Sequence, residues 1–184
     1  MPEPRTHVRA VSAAYSGETR LYAGGRFVAD PWQAVDDAAE IPPSGPVLVT
    51  LARWRQDRDA LTARGHIGIL SAATDVLTAA DDIGRLELIV LTLPKFTDGR
   101  AYSAARRLRE QADYRGELRV TGDVLLDQIP LLARCGFDSF EIRHAPTIRA
   151  LESGAVSWVS HVYQPPGGAR RLPAAKTERI RRSA

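Results

Sequence analysis

The feature that most constrains the fold is a regular alternation of short apolar runs with segments of helix length between residues 46 and 142. This alternation is typical of successive βα units around a mostly parallel sheet. The run LELIVLTL alternates little between apolar and polar residues, which indicates a strand that is covered on both faces. The five runs are PVLVTL, HIGIL, LELIVLTL, ELRVT and DSFEI.

The pattern predicts an α/β fold with a mostly parallel sheet of about five strands. A flavodoxin-like open sheet and a partial βα barrel give almost the same order of elements, so both stay open, with the open sheet preferred. Upstream, RLYAGGRFVADPW predicts a short N-terminal hairpin that turns at its two adjacent glycines. A last helix is predicted over 147–163, and Thr74 or Asp75, together with Asp98, are predicted helix caps.

The length of 184 residues suits a single domain, which we predict over residues 19–164. Residues 1–18 show no sustained period and are predicted to be a flexible arm. Residues 165–184 carry six basic side chains and one acidic one, so the rest of the chain has a net charge of −2 out of the total of +3. We interpret 165–184 as a basic disordered tail, and we do not expect nucleic acid to be a partner.

Cysteine content and hydropathy limit the classes of protein to consider. The chain has no apolar stretch that suits a signal peptide or a membrane span, which predicts a cytoplasmic protein with no membrane partner. The single Cys135 cannot form an internal disulfide or hold an iron–sulfur cluster, and the four histidines lack ligand spacing, so no metal site is predicted. The cofactor is unknown, and a flavin is possible because flavin sites need no short motif.

The candidate binding site is the loop PKFTDGRAYS, because ligands of parallel α/β proteins gather at the carboxyl ends of strands. Lys95 and Arg100 place two cations near the positive end of the following helix, and Thr97 and Ser103 add hydroxyls. Together they suit a sulfite, phosphate or carboxylate group. In the alternative interpretation Asp98 caps the helix and pairs with Lys95, and the arginines form a solvated face. Surface charge clusters are common, which favours this second interpretation.

Two further loops follow predicted strands. Asp123 is either a general base or, as is commoner, a helix cap. Arg143 is a further candidate for anion binding, whereas the adjacent His144 is interpreted as a surface residue. Cys135 has basic neighbours that would lower its pKa, yet a small buried apolar role is the commoner one for a lone cysteine. Common nucleotide-binding and hydrolase motifs are absent from the sequence, so no catalytic residue is predicted.

Uncommon sequence words point to a known family. The words PKFTDGR, YRGELR, GDVL and RCGFD resemble the signature region of the bacterial family called domain of unknown function 934. RLYAGGRFVADPW and PVLVTLARWRQDRDAL resemble its earlier segments, so the resemblance spans about residues 20–163. The chain departs from the family pattern at Pro130, which predicts a helix that is kinked there or whose regular part is confined to one side of the proline, and in its basic extension.

The resemblance implies a function that the residues alone do not. Members of this family are described as probable oxidoreductases involved in sulfite reduction. We therefore expect an accessory or electron-delivery-related subunit of an assimilatory sulfite reductase system. The expected partner is a separate sirohaem sulfite or nitrite reductase haemoprotein. The alternative is a small-molecule enzyme or an anion-binding α/β domain that uses the PKFTDGR loop.

Overall fold

The computed structural model describes residues 19–154, apart from the side chains of residues 80 and 81. The predicted arm at 1–18 and the predicted tail at 165–184 lie outside these residues. The strands are β1 Arg20–Ala23, β2 Arg26–Val28, β3 Gln33–Ala34, β4 Val47–Thr50, β5 Ile67–Ala72, β6 Leu88–Leu93, β7 Glu117–Gly122 and β8 Ser139–Ile142. The helices are α1 Leu51–Gln56, α2 Arg58–Arg64, α3 Arg100–Glu110, α4 Ile129–Cys135 and α5 Ala145–Glu152, with 3₁₀ segments at Val76–Arg85 and Leu126–Gln128.

All eight strands form one mixed, mostly parallel sheet in the order β2-β1-β8-β7-β6-β5-β4-β3. The five apolar runs of the sequence become β4 to β8, which are parallel to one another. The predicted hairpin is β1–β2, and Gly24 and Gly25 supply its turn with positive φ values. The α/β class is therefore confirmed. The sheet has eight strands rather than about five because the hairpin and the short β3 join it.

The parallel strands stand side by side in the order in which the chain makes them. A flavodoxin-like sheet has the order 2-1-3-4-5 and carries helices on both faces. Here every crossover leads to the next strand in the same direction, and right-handed crossovers of that kind place their helices on one face. Parallel strands that follow one another in chain order are typical of a partial βα barrel. The sheet nevertheless has two free edges, β2 and β3, as an open sheet does.

The sheet is curled, because a short linker joins its two edges. Only residues 29–32 connect β2 to β3, which allows a span of about 18 Å between the strand ends. A flat sheet of eight strands would be about 34 Å wide. Asp30 of this linker contacts Arg119 at 2.8 Å. Arg119 lies between the core residues Leu118 and Val120, so its side chain is on the face opposite the helices, which we call the concave face.

The main core lies between the sheet and its helices. Val49, Ile69, Ile89 and Leu118 are in-register neighbours on β4 to β7 and are almost fully buried. Trp54, Leu108 and Leu132 of the helices belong to the same apolar cluster. Each such side chain stabilises the fold by about 1.5 to 3 kcal/mol through burial.

On the concave face, the side chains of Leu48 and Leu88 fill the space over Gly68 of β5. A Cβ there would lie 3.0 Å from Leu88 Cβ and 3.2 Å from Leu48 Cδ1. The missing side chain of Gly68 therefore lets its two neighbouring leucines pack over β5, which accommodates the curl.

Several predicted helices are shorter or differently wound than expected. The segment after β5 is a 3₁₀ helix interrupted at Ala79, and Asp75 occupies its N-cap position without a side-chain cap. Pro130 lies in the first turn of α4, so the regular helix lies on one side of the proline and does not kink. Proline is compatible with a first turn because the N–H it lacks would have no helical partner. The last helix ends at Glu152, and residues 155–163 lie outside the described part of the chain.

Candidate functional site

The loop between β6 and α3 holds Phe96 by both of its backbone polar groups. The Phe96 N–H donates to Asp123 Oδ2 at 3.1 Å, and the Phe96 carbonyl accepts from Gln128 Nε2 at 2.7 Å. Its aromatic side chain is nevertheless 56% exposed. The loop therefore presents a large apolar group to solvent from a fixed backbone.

Asp123 is positioned for this role by Gly122, the last residue of β7. Gly122 has φ +113, and a Cβ there would lie 2.2 Å from the carbonyl oxygen of Leu93. The N–H of Asp123 donates to that oxygen at 2.9 Å, which joins the ends of β6 and β7. The N-cap of the following 3₁₀ turn is Leu125. Asp123 thus anchors the neighbouring loop instead of capping its own helical turn.

Asp98 is paired with Arg100. The alternative interpretation of the sequence, in which Asp98 caps the helix, predicted a pair with Lys95. The Asp98 carboxylate accepts from Arg100 Nε at 2.9 Å, from Nη2 at 2.6 Å and from the Arg100 backbone N–H at 3.1 Å. These side-chain and backbone bonds from Arg100 lower the pKa of Asp98 to about 2. The N-cap of α3 is Gly99, and Lys95 and Thr97 are exposed.

A groove of about 500 Å³ lies between the β5–3₁₀ loop and α3. Its lining includes Arg100 and Ser103 from the predicted site, and also Thr74 and Arg107. The 100, 103, 107 spacing of a helix face was present in the sequence and would have identified Arg107. Thr74 belongs to a neighbouring loop, so only the tertiary fold brings it to the groove.

The structure does not gather all the predicted residues at one place. Five of the seven predicted residues are not among those that line this groove: Lys95, Thr97, Asp98, Asp123 and Arg143. Arg143 donates to Thr19 Oγ1 at 3.0 Å and to Thr121 Oγ1 at 3.5 Å.

Thr121 is two residues from Arg119 on the same strand, so it belongs to the concave face. The candidates consequently divide between the helix side and the concave side of the sheet. His144, next to Arg143, is exposed, and its Nδ1 lies 2.9 Å from Thr147 Oγ1.

A buried charge cluster on the concave face was not predicted. The side chain of Arg119 is 1% exposed and contacts Asp30 at 2.8 Å, Glu117 at 3.1 Å and Glu141 at 3.4 Å. Burial alone would lower the pKa of Arg119, but the bond to Asp30 and the three nearby carboxylates outweigh it and raise that pKa. The sequence signal was a lone arginine inside the apolar run ELRVT.

Two of the family words are explained by one arginine on α3. Arg109 donates to the carbonyl oxygens of Tyr114 at 2.7 Å, Gly116 at 2.9 Å and Gly136 at 3.0 Å. It also pairs with Asp138, whose carboxylate accepts from the backbone N–H of Leu118 at 2.9 Å. YRGELR and RCGFD thus contain a structural connection between α3, β7 and the start of β8.

Cys135 packs beside the core, as the commoner interpretation of a lone cysteine predicts. Burial raises the pKa of its thiol, and the opposing effect of Arg106 and Arg134 is smaller. Within residues 19–154, no three His, Cys, Asp or Glu side chains are grouped so that they could hold a metal ion. No helix in that part of the chain has the length and apolar character needed to cross a membrane.

These features define an α/β protein with an open, curled mixed sheet and a fixed, aromatic-bearing loop at its carboxyl edge. The chain belongs to a family of bacterial proteins of unknown function, DUF934, whose model matches residues 68–173, more than half of its length. The match begins in β5, so the resemblance noted upstream, over 20–67, lies outside it. At the other end it extends to residue 173, beyond the limit at residue 163 that the shared words indicated. No curated protein and no solved structure matches the chain.

Replacing Asp123 with alanine should release the loop backbone at Phe96. Loss of one charge-assisted bond predicts a stability decrease of only about 1 kcal/mol, but amide exchange at Phe96 should accelerate at least about five-fold. Hydrogen exchange followed by NMR measures both the site and its neighbours. Asp127→Ala is the control, since this exposed carboxylate is close in sequence and is not the Phe96 acceptor. Equal exchange in both variants would contradict the anchoring role.

Proposed function

We propose that this protein is an accessory or electron-delivery-related component of an assimilatory sulfite reductase system. It acts with a separate sirohaem sulfite or nitrite reductase haemoprotein, in the cytoplasm. The family resemblance supplies the link to sulfite reduction. The single observation in the structure that supports a partner-binding role is the fixed presentation of Phe96 at the carboxyl edge of the sheet.

A fixed and exposed aromatic group favours association with another protein. Aromatic side chains are among the residues that contribute most to protein interfaces. An anchor whose backbone is already held loses less conformational freedom on binding, so more of its interaction energy appears as affinity. Exposure of the Phe96 side chain does not serve solubility, because the ring has no polar group for water to hydrate. The two bonds that hold the Phe96 backbone, to Asp123 and Gln128, are therefore better explained by presentation of the ring to a partner.

The proposal is tested by purifying the tagged chain with the sirohaem sulfite reductase haemoprotein of the same organism. We expect a complex on size exclusion and a sulfite-reduction rate that depends on this chain. A flavin absorbance band in the isolated chain would specify electron delivery as its role. A haemoprotein that neither binds the chain nor changes its rate in its presence would refute the proposal.

The second candidate is anion binding at the α3 groove, next to the PKFTDGR loop. Arg107 donates to the neutral side-chain oxygen of Gln111 at 3.3 Å, and no carboxylate of the described residues forms an ion pair with it. With the hydroxyls of Thr74 and Ser103 it suits a sulfite or phosphate group. Calorimetric titration with sulfite and with phosphate tests this, and binding should be lost in Arg107→Ala and kept in Arg85→Ala. If the wild-type chain binds neither anion, this candidate is eliminated.

A further inference from the structure

We propose that Phe96, Tyr102, Gln128 and Leu131 form a docking surface, called here the Phe96 face, for an acidic surface of the reductase haemoprotein. This inference rests on the proposed function and adds to it the position and the chemistry of the contact. It follows from three observations: two exposed apolar groups lie together, their scaffold is fixed, and the adjoining surface is basic.

The two apolar groups are brought together by Gln128. Phe96 and Leu131 are the large hydrophobic residues of the described chain that stay exposed, at 56% and 49%. Gln128 is the N-cap residue of α4 and bonds to the Phe96 carbonyl. Leu131 follows it by three residues, so it lies on the same side of the helix as the loop. The half-buried Tyr102 reaches the same place from α3, since its hydroxyl is hydrogen-bonded to Gln128.

The loop backbone at Phe96 is held in place because both polar atoms of the Gln128 side-chain amide form hydrogen bonds. Gln128 Oε1 accepts from the backbone N–H of Leu125 at 3.0 Å, while its Nε2 donates to the Phe96 carbonyl. The side chain therefore has one satisfied orientation. Asp123 holds the other side of Phe96. An interface built on this face would need little rearrangement on binding, which is the property of an anchor site.

The surface beside this face is basic. Residues 95–110 contain five basic side chains and two acidic ones. Arg100 pairs with Asp98, Arg106 with Glu110 and Arg109 with Asp138. The exposed Lys95 and Arg107 pair with no carboxylate of the described residues, so they carry the net positive charge of this segment. Asp127 adds one exposed carboxylate next to Gln128. Charge complementarity thus calls for carboxylates around an apolar pocket on the partner.

A basic and apolar surface also suits an anionic membrane, which is the alternative to a protein partner. Membrane-surface binding uses a broad apolar helix face together with many cations. Here the apolar part consists of two exposed side chains on two different elements, and a loop backbone is held to present one of them. This geometry favours a pocket on a protein.

The experiment measures the affinity of the full chain for the purified sirohaem haemoprotein by biolayer interferometry. Phe96→Ala and Leu131→Ala should each weaken binding at least about ten-fold, as expected of interface anchors. Lys95→Glu should slow association and reduce its dependence on salt. Arg85→Glu is the matched control, an exposed cation outside this face that should leave affinity unchanged. Thermal melts confirm that the variants are folded, since the changed side chains are exposed.

The outcomes separate this inference from the proposed function. Wild-type binding that all three variants preserve would refute the Phe96 face and leave the proposed function intact. No wild-type binding at any salt concentration would refute both. A last measurement tests binding of the chain to vesicles of phosphatidylcholine with one quarter phosphatidylglycerol. Vesicle binding lost in Phe96→Ala, without haemoprotein binding, would overturn the inference in favour of a membrane surface.

Discussion

Replacing Arg119 with methionine is expected to lower the free energy of unfolding by about 3 to 5 kcal/mol. Arg119 is the only cation that the described contacts give to the cluster of Asp30, Glu117 and Glu141. Without it, three carboxylates face one another across the concave side of the sheet. Removing one partner of a buried charge cluster is costly because the remaining charges lose their compensation. The contact that holds the 29–32 linker across the concave face is lost as well.

Urea denaturation of the two proteins measures this difference. A loss below about 1 kcal/mol would contradict the explanation by uncompensated buried charge, since a loss of that size is what an exposed ion pair contributes.

The matched control is Arg115→Met. Arg115 also pairs with a carboxylate, Asp113, but the two side chains are 66% and 71% exposed. Exposed pairs contribute about 0 to 1 kcal/mol, so this variant should unfold almost like the parent chain. Similar losses in the two variants would indicate that removing any arginine charge, and not the buried cluster, is responsible.

How much of the fold could be predicted depended on how local each signal was. The apolar runs that became β4 to β8 were recognised because strand composition and turn residues are read within a few positions. Strand order depends on pairing between distant segments, so the sequence left two architectures open. The curl depends on a linker of four residues between the edges, and its significance is visible only after β2 and β3 are placed.

Predictions about helices left alternatives open where one residue type has two roles. Proline interrupts a helix interior but is well suited to a first turn, and no local signal told which applied to Pro130. The segment after β5 has the length of an α-helix, yet Ala79 adopts φ −105 and ψ 19 and interrupts it.

The same limit applies to the candidate site. The Asp98–Arg100 pair is local, and the sequence identified both residues, although it assigned Asp98 to Lys95. The contact between Asp123 and Phe96 joins residues 27 positions apart. It requires the register in which Leu93 of β6 lies beside Gly122 of β7. Sequence reasoning therefore placed both loops at the correct edge and could not specify which of their groups meet.

Replacing Gly122 with alanine is expected to lower the free energy of unfolding by about 2 to 4 kcal/mol. The new Cβ would lie 2.2 Å from the carbonyl oxygen and 2.9 Å from the carbonyl carbon of Leu93. Both atoms are backbone, so the contact is relieved only by separating the ends of β6 and β7. The φ of +113 adds strain for any residue with a side chain.

The same substitution should affect the candidate site, because Asp123 follows directly. Its N–H bond to the Leu93 carbonyl and its carboxylate bond to Phe96 both depend on the backbone of Gly122. Urea denaturation and the exchange rate of the Phe96 amide should therefore change together in this variant. Gly84→Ala is the control, since its Cβ would meet nothing within 4 Å, and alanine there should be neutral or stabilising by up to about 1 kcal/mol. An unchanged Phe96 amide in a destabilised Gly122 variant would show that the loop is held independently of the β6–β7 junction.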